Sequence, residues 1–168
     1  MIDIYSKSKV NKSDAEIIFD EYVPLTITFS QTSNFKKYIR LENDDDFIEL
    51  GIDNQSNQLV ELTIVSLKTV ETITKDFPTM LSSSCYKSPV IEYPDDDKNY
   101  VIYDIPFTVG LYQDCLVITF DSKIHCSSEG LRVTKDLFFS CSPDNKNVRL
   151  ILTSISADNL EKLCLAIV

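Results

Sequence analysis

The sequence predicts a single α+β domain, residues 1–168, dominated by antiparallel β-sheet with a C-terminal helix and few other helices. Many segments alternate apolar and polar residues with a period of two, and clusters of turn residues join several of them. Only the C-terminal end has a clear helical pattern. With 43 % hydrophobic residues and no internal repeat or linker, a chain of 168 residues is expected to bury one core.

Alternation predicts the first strands. In residues 22–30, Leu25, Ile27 and Phe29 share one face and polar residues occupy the other, which is typical of a half-buried strand. Residues 38–42 alternate in the same way and predict a second strand. Two hairpins are also predicted, because in each case a polar turn cluster separates two β-rich runs. The first has arms 46–52 and 59–67 about the turn 53–57, and the second has arms 131–141 and 148–155 about the turn 142–147.

The segments between these hairpins are less regular. Residues 70–94 contain three prolines and a run of serines, which favour a long excursion or a short helical turn. Residues 99–112 predict a strand that is broken or bulged at Pro106. Because proline has no backbone donor, we expect this strand at a sheet edge or at a bulge. Residues 115–121 predict a further short strand.

Two segments have helical patterns. Residues 156–168 offer Ser156 as an N-cap and then an apolar face formed by Leu160, Leu163, Cys164 and Ile167. Residues 13–22 begin with a capping box but are short, so they form the weaker helix prediction. Cys164 and Cys115 both stand among apolar residues, and we expect both thiols to be buried and free.

The net charge of −10 is concentrated in two windows of the sequence. Residues 41–67 contain seven acids and no lysine or arginine, and residues 88–122 contain seven acids against Lys98 alone. The two windows together carry −13, so the remainder of the chain carries +3. Concentrated charge of one sign attracts a partner of the opposite sign and speeds their encounter. The feature that the sequence supports best is therefore an acidic binding surface.

Candidate partner-binding residues come from both windows and include tyrosines, since tyrosine beside carboxylates is the composition of an interface for a basic partner. From the first window they are Asp44, Asp45, Asp46, Glu49, Asp53 and Glu61. From the second window they are Asp95, Asp96, Asp97, Tyr100, Tyr103 and Asp104. For each Asp triplet, solvated loop charge, partner contact and cation binding are all open alternatives. We expect residues 99–112 or the hairpin 47–67 to border the partner, unless residues 70–94 cover that edge.

Catalytic, metal and cofactor sites are not indicated. The single histidine, His125, has no local group that would orient it in a triad, and no G-x-S-x-G motif is present. His125, Cys126 and Cys141 are spaced unlike zinc ligands, and neither Asp triplet is followed by the glycine of a calcium loop. Three glycines cannot build a phosphate-binding loop, and acidic windows disfavour direct nucleic-acid binding. We expect no enzymatic activity, no metal and no cofactor.

The number of cysteines and the hydropathy of the sequence indicate the cellular compartment of the protein. Five cysteines cannot all pair, and no two form a C-x-x-C motif, so a disulfide framework is not expected. No segment approaches the roughly 20 apolar residues of a membrane span. The first residues contain early acids and no apolar block of signal-peptide length. These features predict a cytoplasmic protein without a membrane partner.

The chain resembles the immunity proteins of contact-dependent growth inhibition systems, the CdiI-like group. The resemblance rests on a small acidic chain with the hairpin sequence DFIELGIDNQSNQLVELTIVSLKTVE, a β-rich second half and the ending VRLILTSISADNLEKLCLAI. It covers most of the chain loosely and includes no diagnostic motif. Members of that bacterial family bind and block a toxin delivered by a neighbouring cell, often a nuclease or tRNase, and some accept a β-hairpin of the toxin onto their own sheet. The resemblance implies a cognate toxin as partner and transfers no individual residue.

Charge and resemblance together predict a non-enzymatic immunity protein that neutralises a basic toxin in a 1:1 complex. The alternative is an acidic β-rich interaction or adaptor module without a toxin partner. Genomic position discriminates between the two, because an immunity gene should lie directly downstream of a large secreted toxin gene.

Overall fold

The described residues form two mixed β-sheets and one helix in a computed structural model. They are residues 2–10, 14–29, 35–74, 86–93, 97–121, 123–126, 130–141 and 147–167, with the backbone alone at 7–10, 126 and 141. The first strands are β1 (Ile2–Val10), β2 (Ala15–Ile18), β3 (Leu25–Phe29), β4 (Lys36–Asn43), β5 (Asp46–Asp53), β6 (Leu59–Ser66) and β7 (Glu71–Thr72). The remaining elements are β8 (Tyr86–Ile91), β9 (Tyr100–Asp104), β10 (Phe107–Tyr112), β11 (Cys115–Phe120), β12 (Ile124–Cys126), β13 (Leu131–Arg132), β14 (Leu137–Cys141), β15 (Val148–Leu152) and α1 (Ala157–Leu165).

The two sheets differ in size and both contain parallel pairs. The six-stranded sheet has the spatial order β2-β3-β6-β5-β4-β9, and the nine-stranded sheet has the order β12-β1-β8-β13-β14-β15-β11-β10-β7. Most neighbours are antiparallel, but four pairs are parallel: β4 with β9, β1 with β12, β8 with β13, and β7 with β10. Each parallel pair joins strands that are distant in sequence, because a short turn can close only an antiparallel pair. The β-rich α+β prediction is thus confirmed, and its purely antiparallel character is corrected.

One connected core contains buried side chains from both sheets. Leu25, Ile27 and Phe29 point inward from β3, as their alternation predicts, and Leu25 and Ile27 have no exposed surface. Phe120 and Phe139 of the nine-stranded sheet belong to the same core. Burial of each large apolar side chain contributes roughly 1.5–3 kcal/mol to folding. This packing leaves the opposite face of the six-stranded sheet, with its polar and charged residues, directed outward.

Both predicted hairpins are present. β5 and β6 pair antiparallel, as do β14 and β15. The turn of the second hairpin falls largely at residues 142–146, which lie outside the described residues. Residues 131–141 differ from the prediction, because they form two short antiparallel strands, β13 and β14, with Leu131 opposite Phe139.

Residues 13–22 do not form the predicted helix. Their described part contains β2, which pairs antiparallel with β3 and places Ile17 against the core. A helix this short would carry the unfavourable cost of nucleation without a partner face, whereas the strand gains a complete ladder along β3. The prediction also omitted β1, although Ile2 and Ile4 alternate with Asp3 and are buried.

The prediction of a long excursion or a short helical turn at residues 70–94 is wrong for β8. This segment is a strand that pairs with β1 on one side and with β13 on the other. Pro89 lies opposite Ser6, next to a shift of register between Ser6 and Lys9. A proline is tolerated in a sheet at such an irregularity, because the regular ladder no longer requires its missing donor. Residues 75–85 lie outside the described residues.

The chain changes sheets at Pro106. β9 pairs with β4 at the end of the six-stranded sheet, whereas β10 pairs with β11 and β7 in the nine-stranded sheet. The Pro106 carbonyl accepts a hydrogen bond of 3.1 Å from the Asp121 amide, which ties the crossing to the end of β11. The predicted break at Pro106 is confirmed, and so is the predicted edge position for β9.

The C-terminal helix α1 begins where predicted. The Ser156 hydroxyl accepts a hydrogen bond of 3.3 Å from the Asn159 amide, as an N-cap does. The helix buries Leu163 and is followed by the buried Ala166. Cys164 is exposed, so its predicted burial is wrong. Residue 164 is rotated by about 100° from residue 163, which places it outside the narrow buried stripe of so short a helix.

Candidate binding surface on the six-stranded sheet

Among the described residues, β9 has a strand neighbour on one side only, namely β4. The Asn99 carbonyl accepts a hydrogen bond of 2.9 Å from β4, and the Ile105 amide donates one of 3.2 Å to β4. Backbone groups of successive residues point to opposite sides of a strand. Tyr100, Ile102 and Asp104 therefore direct their amides and carbonyls away from β4, toward the edge.

This edge is capped at one end. The Lys123 ammonium donates a hydrogen bond of 2.9 Å to the Asp104 carbonyl. In the described part of the chain, the backbone groups of Tyr100 and Ile102 on this edge have no strand neighbour. The described parts of residues 70–94, β7 and β8, pair within the nine-stranded sheet and not with β9.

Side chains of β9 alternate between the core and the outward face. Tyr100, Ile102 and Asp104 point outward, with 40 % of Tyr100 and 55 % of Ile102 exposed. Val101 and Tyr103 are partly buried and pack against the core. Tyr103 was predicted to contact a partner, but its register opposite a buried residue of β4 turns it inward. The outward surface of β9 is thus formed by one aromatic, one aliphatic and one acidic residue.

Arg40 connects this edge strand to the first acidic window. Its guanidinium lies 5.3 Å from the ring centroid of Phe47 and 5.7 Å from that of Tyr100. Both Nε and Nη2 donate to Glu49 Oε1, at 3.1 and 2.7 Å, and the Tyr100 hydroxyl donates to the same oxygen at 3.0 Å. The hydrogen bond with Glu49 raises the pKa of Arg40. Burial, followed by the hydrogen bond to Glu49, raises the pKa of Tyr100.

Gly51 allows a second ion pair to form across the sheet. Lys36 on β4 and Glu61 on β6 lie on either side of β5, and Lys36 Nζ reaches Glu61 Oε2 at 2.6 Å. A Cβ atom at Gly51 would lie 3.0 Å from the Glu61 Cβ and 3.4 Å from the Tyr38 ring. The missing side chain therefore leaves the space through which Lys36 and Glu61 meet. Glu61, a predicted partner residue, is neutralised within the protein.

The first Asp triplet forms the tight turn between β4 and β5. Asp44 is exposed at the tip with φ 54°, a left-handed conformation that aspartate adopts more readily than most residues. Asp46 Oδ1 accepts a hydrogen bond of 2.6 Å from the Lys68 amide, and Asp45 forms an ion pair with the Lys68 ammonium. Asp45 and Asp46 thus anchor the turn, and Asp44 is exposed at its tip.

The sheet register brings further acids to the same end, which sequence analysis missed. Ile18 pairs with Thr26 at the end where the β4–β5 turn also lies, so the connecting loop places Asp20 and Glu21 there. Asp20 Oδ1 shapes this loop by accepting a hydrogen bond of 2.8 Å from the Tyr22 amide. Tyr22 is 87 % exposed. We call the group Asp20, Glu21, Tyr22, Glu42, Asp44, Asp45 and Asp104 the acidic end.

The remaining candidates are divided between structural and surface positions. Asp53 Oδ1 accepts hydrogen bonds from the Gln55 amide at 3.2 Å and the Ser56 amide at 2.7 Å, so it organises the β5–β6 turn. Asp97 is exposed just before β9. Asp95 and Asp96 lie outside the described residues.

The histidine and cysteine residues that the structure describes outside this surface do not lie together in a cluster. His125 lies in β12 beside Asp3 of β1. Cys115 is half-buried, and burial raises the pKa of its thiol. Across the described ranges, no group of three or more histidine, cysteine, aspartate or glutamate side chains is arranged to hold a metal ion. In the same ranges, no helix has the length and apolar character to cross a membrane.

No protein-family model matches the chain, and no curated protein matches its sequence.

Proposed function

We propose that this protein is a cytoplasmic immunity protein that binds and neutralises a basic toxin, a nuclease or tRNase delivered by contact-dependent growth inhibition, in a 1:1 complex. The observation that carries the proposal is the β9 edge, where open backbone groups at Tyr100 and Ile102 adjoin outward carboxylates. An extended segment of the toxin adds to this edge through backbone hydrogen bonds. Its basic side chains then meet Glu42 and Asp104.

β9 suits this role better than the hairpin of β5 and β6. Both hairpin strands have neighbours on each side, so they offer a partner only their outward side chains. Glu49 and Glu61 in that hairpin are already paired with Arg40 and Lys36. Backbone pairing therefore belongs to β9, and the hairpin supplies the charged face beside it.

The acidic end supports the choice of a basic partner. It combines acids from the β2–β3 loop, the β4–β5 turn and the end of β9, with Lys68 and Lys123 as the described lysines that contact it. A nuclease must present cations to bind nucleic-acid phosphates. Cations held by these carboxylates are unavailable to phosphate, so binding alone blocks the toxin and no catalytic group is required of the inhibitor.

The test compares Ile102→Pro with Ile102→Val, using the toxin encoded immediately upstream of this gene. Proline removes the Ile102 amide donor, which points to the open edge and takes no part in pairing with β4. Valine keeps that donor and a similar side chain. We expect Ile102→Pro to weaken toxin binding at least tenfold with a near-native melting temperature, and Ile102→Val to bind as the wild type does.

Co-expression in toxin-producing cells provides the functional readout. Wild type and Ile102→Val should restore growth, and Ile102→Pro should fail to do so. Native affinity of Ile102→Pro would contradict docking at β9. Binding of the upstream product without any protection of the cells would favour the adaptor function instead.

A further inference from the structure

The β9 edge is open over only part of its length, and Lys123 sets the limit. Its ammonium donates a hydrogen bond of 2.9 Å to the Asp104 carbonyl. The backbone groups of Tyr100 and Ile102 that point away from β4 have no strand neighbour among the described residues. The capped carbonyl is at the end of β9 that leads to Pro106.

Two backbone hydrogen bonds fix the position of Lys123 in the turn between β11 and β12. The Lys123 carbonyl accepts a hydrogen bond of 2.9 Å from the Ile2 amide, and the Asp121 carbonyl accepts one of 3.1 Å from the Ile124 amide. The first bond joins the turn between β11 and β12 to β1, and the second closes the turn itself. The side chain then crosses from the nine-stranded sheet to the edge of the six-stranded sheet.

We infer that Lys123 is a register stop that keeps an added strand from pairing with the Asp104 carbonyl, so that Ile102 provides the last carbonyl acceptor on this edge. This inference rests on the proposed docking of a partner strand at β9. A strand that pairs further along would have to displace the ammonium from the Asp104 carbonyl. Lysine on a sheet edge also disfavours pairing beyond it, so the stop selects segments whose backbone pairing does not reach the Asp104 carbonyl.

The geometry makes Lys123 a specificity residue rather than a contributor to affinity. Removal of its ammonium frees one backbone acceptor and lengthens the edge by one residue. One additional net hydrogen bond would tighten binding of an extended strand by about three- to tenfold. The wild-type protein therefore binds an extended strand less tightly but in one defined register.

The test uses a blocked six-residue peptide of alternating lysine and valine as the probe. Its lysines suit the acidic outward face and its valines suit the side of Val101 and Tyr103. Amide and backbone carbonyl chemical shifts of the full-length protein are followed as the peptide is added to wild type, Lys123→Met and Lys123→Arg. Methionine keeps the length of the side chain without charge, and arginine keeps a cationic donor.

In the wild type and Lys123→Arg, we expect shifts at the Tyr100 and Ile102 amides and none at the Asp104 carbonyl carbon. In Lys123→Met, the shifts should extend to the Asp104 carbonyl carbon, with the dissociation constant lowered about three- to tenfold. Equal shifts at the Asp104 carbonyl carbon in the wild type would overturn the register stop while leaving docking at β9 intact. Absence of shifts along β9 in all three proteins would overturn docking itself, and the register stop with it.

Discussion

Arg40 and Glu49 lie opposite each other on β4 and β5, and their side chains form an ion pair of 2.7 Å on the outward face of the six-stranded sheet. Glu49 belongs to a stretch of sequence without any base, and its partner stands one residue before that stretch begins. Glu61 is paired in the same way with Lys36, and Asp45 is paired with Lys68. The acidic character of this window is therefore reduced at the centre of the sheet and retained at its end.

The Arg40–Glu49 pair should contribute measurably to stability. A double-mutant cycle of Arg40→Ala and Glu49→Ala is expected to give a coupling free energy of about 1 kcal/mol, because both groups are partly shielded and share several hydrogen bonds. Chemical denaturation of the four proteins measures it. The matched control is Lys135 and Asp136, whose ion pair is longer at 3.5 Å and whose lysine is largely exposed. Equal coupling in both cycles would contradict the assigned role of Arg40.

Tyr100 should make stability depend on pH in the alkaline range. Its pKa is raised above the ordinary value of 10.0, so the folded state favours the neutral phenol. This contribution is complete below the unfolded pKa and is lost as pH rises through the folded pKa. In an absorbance titration, Tyr100→Phe should remove a component that ionises above the ordinary tyrosine pKa. An unchanged titration curve in Tyr100→Phe would refute the assignment.

Charge at the acidic end should govern the rate of association with the toxin. We expect that rate to fall between low and physiological salt, as the screening length shrinks from about 30 Å to about 8 Å. Glu21→Gln combined with Asp44→Asn should slow association more than it speeds dissociation, because both residues are exposed and asparagine tolerates the backbone of Asp44. Stopped-flow kinetics measures both rates.

The control for this experiment removes the same charge elsewhere. Glu71→Gln combined with Glu161→Gln changes two exposed acids on β7 and α1, away from the six-stranded sheet. This variant should associate at nearly the wild-type rate. If the two double variants lose the same fraction of the rate, net charge rather than the acidic end steers the encounter.

The cysteines should differ in reactivity in the native protein. Cys164 is exposed, whereas Cys115 is half-buried with a raised pKa, so a thiol reagent should modify Cys164 before Cys115. Mass spectrometry of peptides from a time course identifies the order, and Cys164→Ser should remove the fast modification. In denaturant, titration should find five thiols without added reductant. Modification of Cys115 before Cys164 would contradict the described burial.

Local patterns in the sequence were sufficient wherever a residue's neighbours in the chain are also its neighbours in space. The alternation of Leu25, Ile27 and Phe29 predicts β3, and Ser156 predicts the start of α1, because both depend on residues a few positions apart. Residues 13–22 show the limit of this reasoning. Their capping pattern favoured a helix, but pairing with β3, a tertiary contact, made Ala15–Ile18 a strand.

The sequence by itself determined the β-rich class, two hairpins, the C-terminal helix, the break at Pro106 and the excess of acids. Only the tertiary structure decided which acids are paired within the protein and which are gathered at the acidic end. Arg40 and Lys36 neutralise Glu49 and Glu61 through cross-strand contacts, and Asp20 joins the acidic end through the register of β2 and β3. The physical reason is that side-chain charge acts through space, whereas the order of residues in the chain specifies only which neighbours are covalently close.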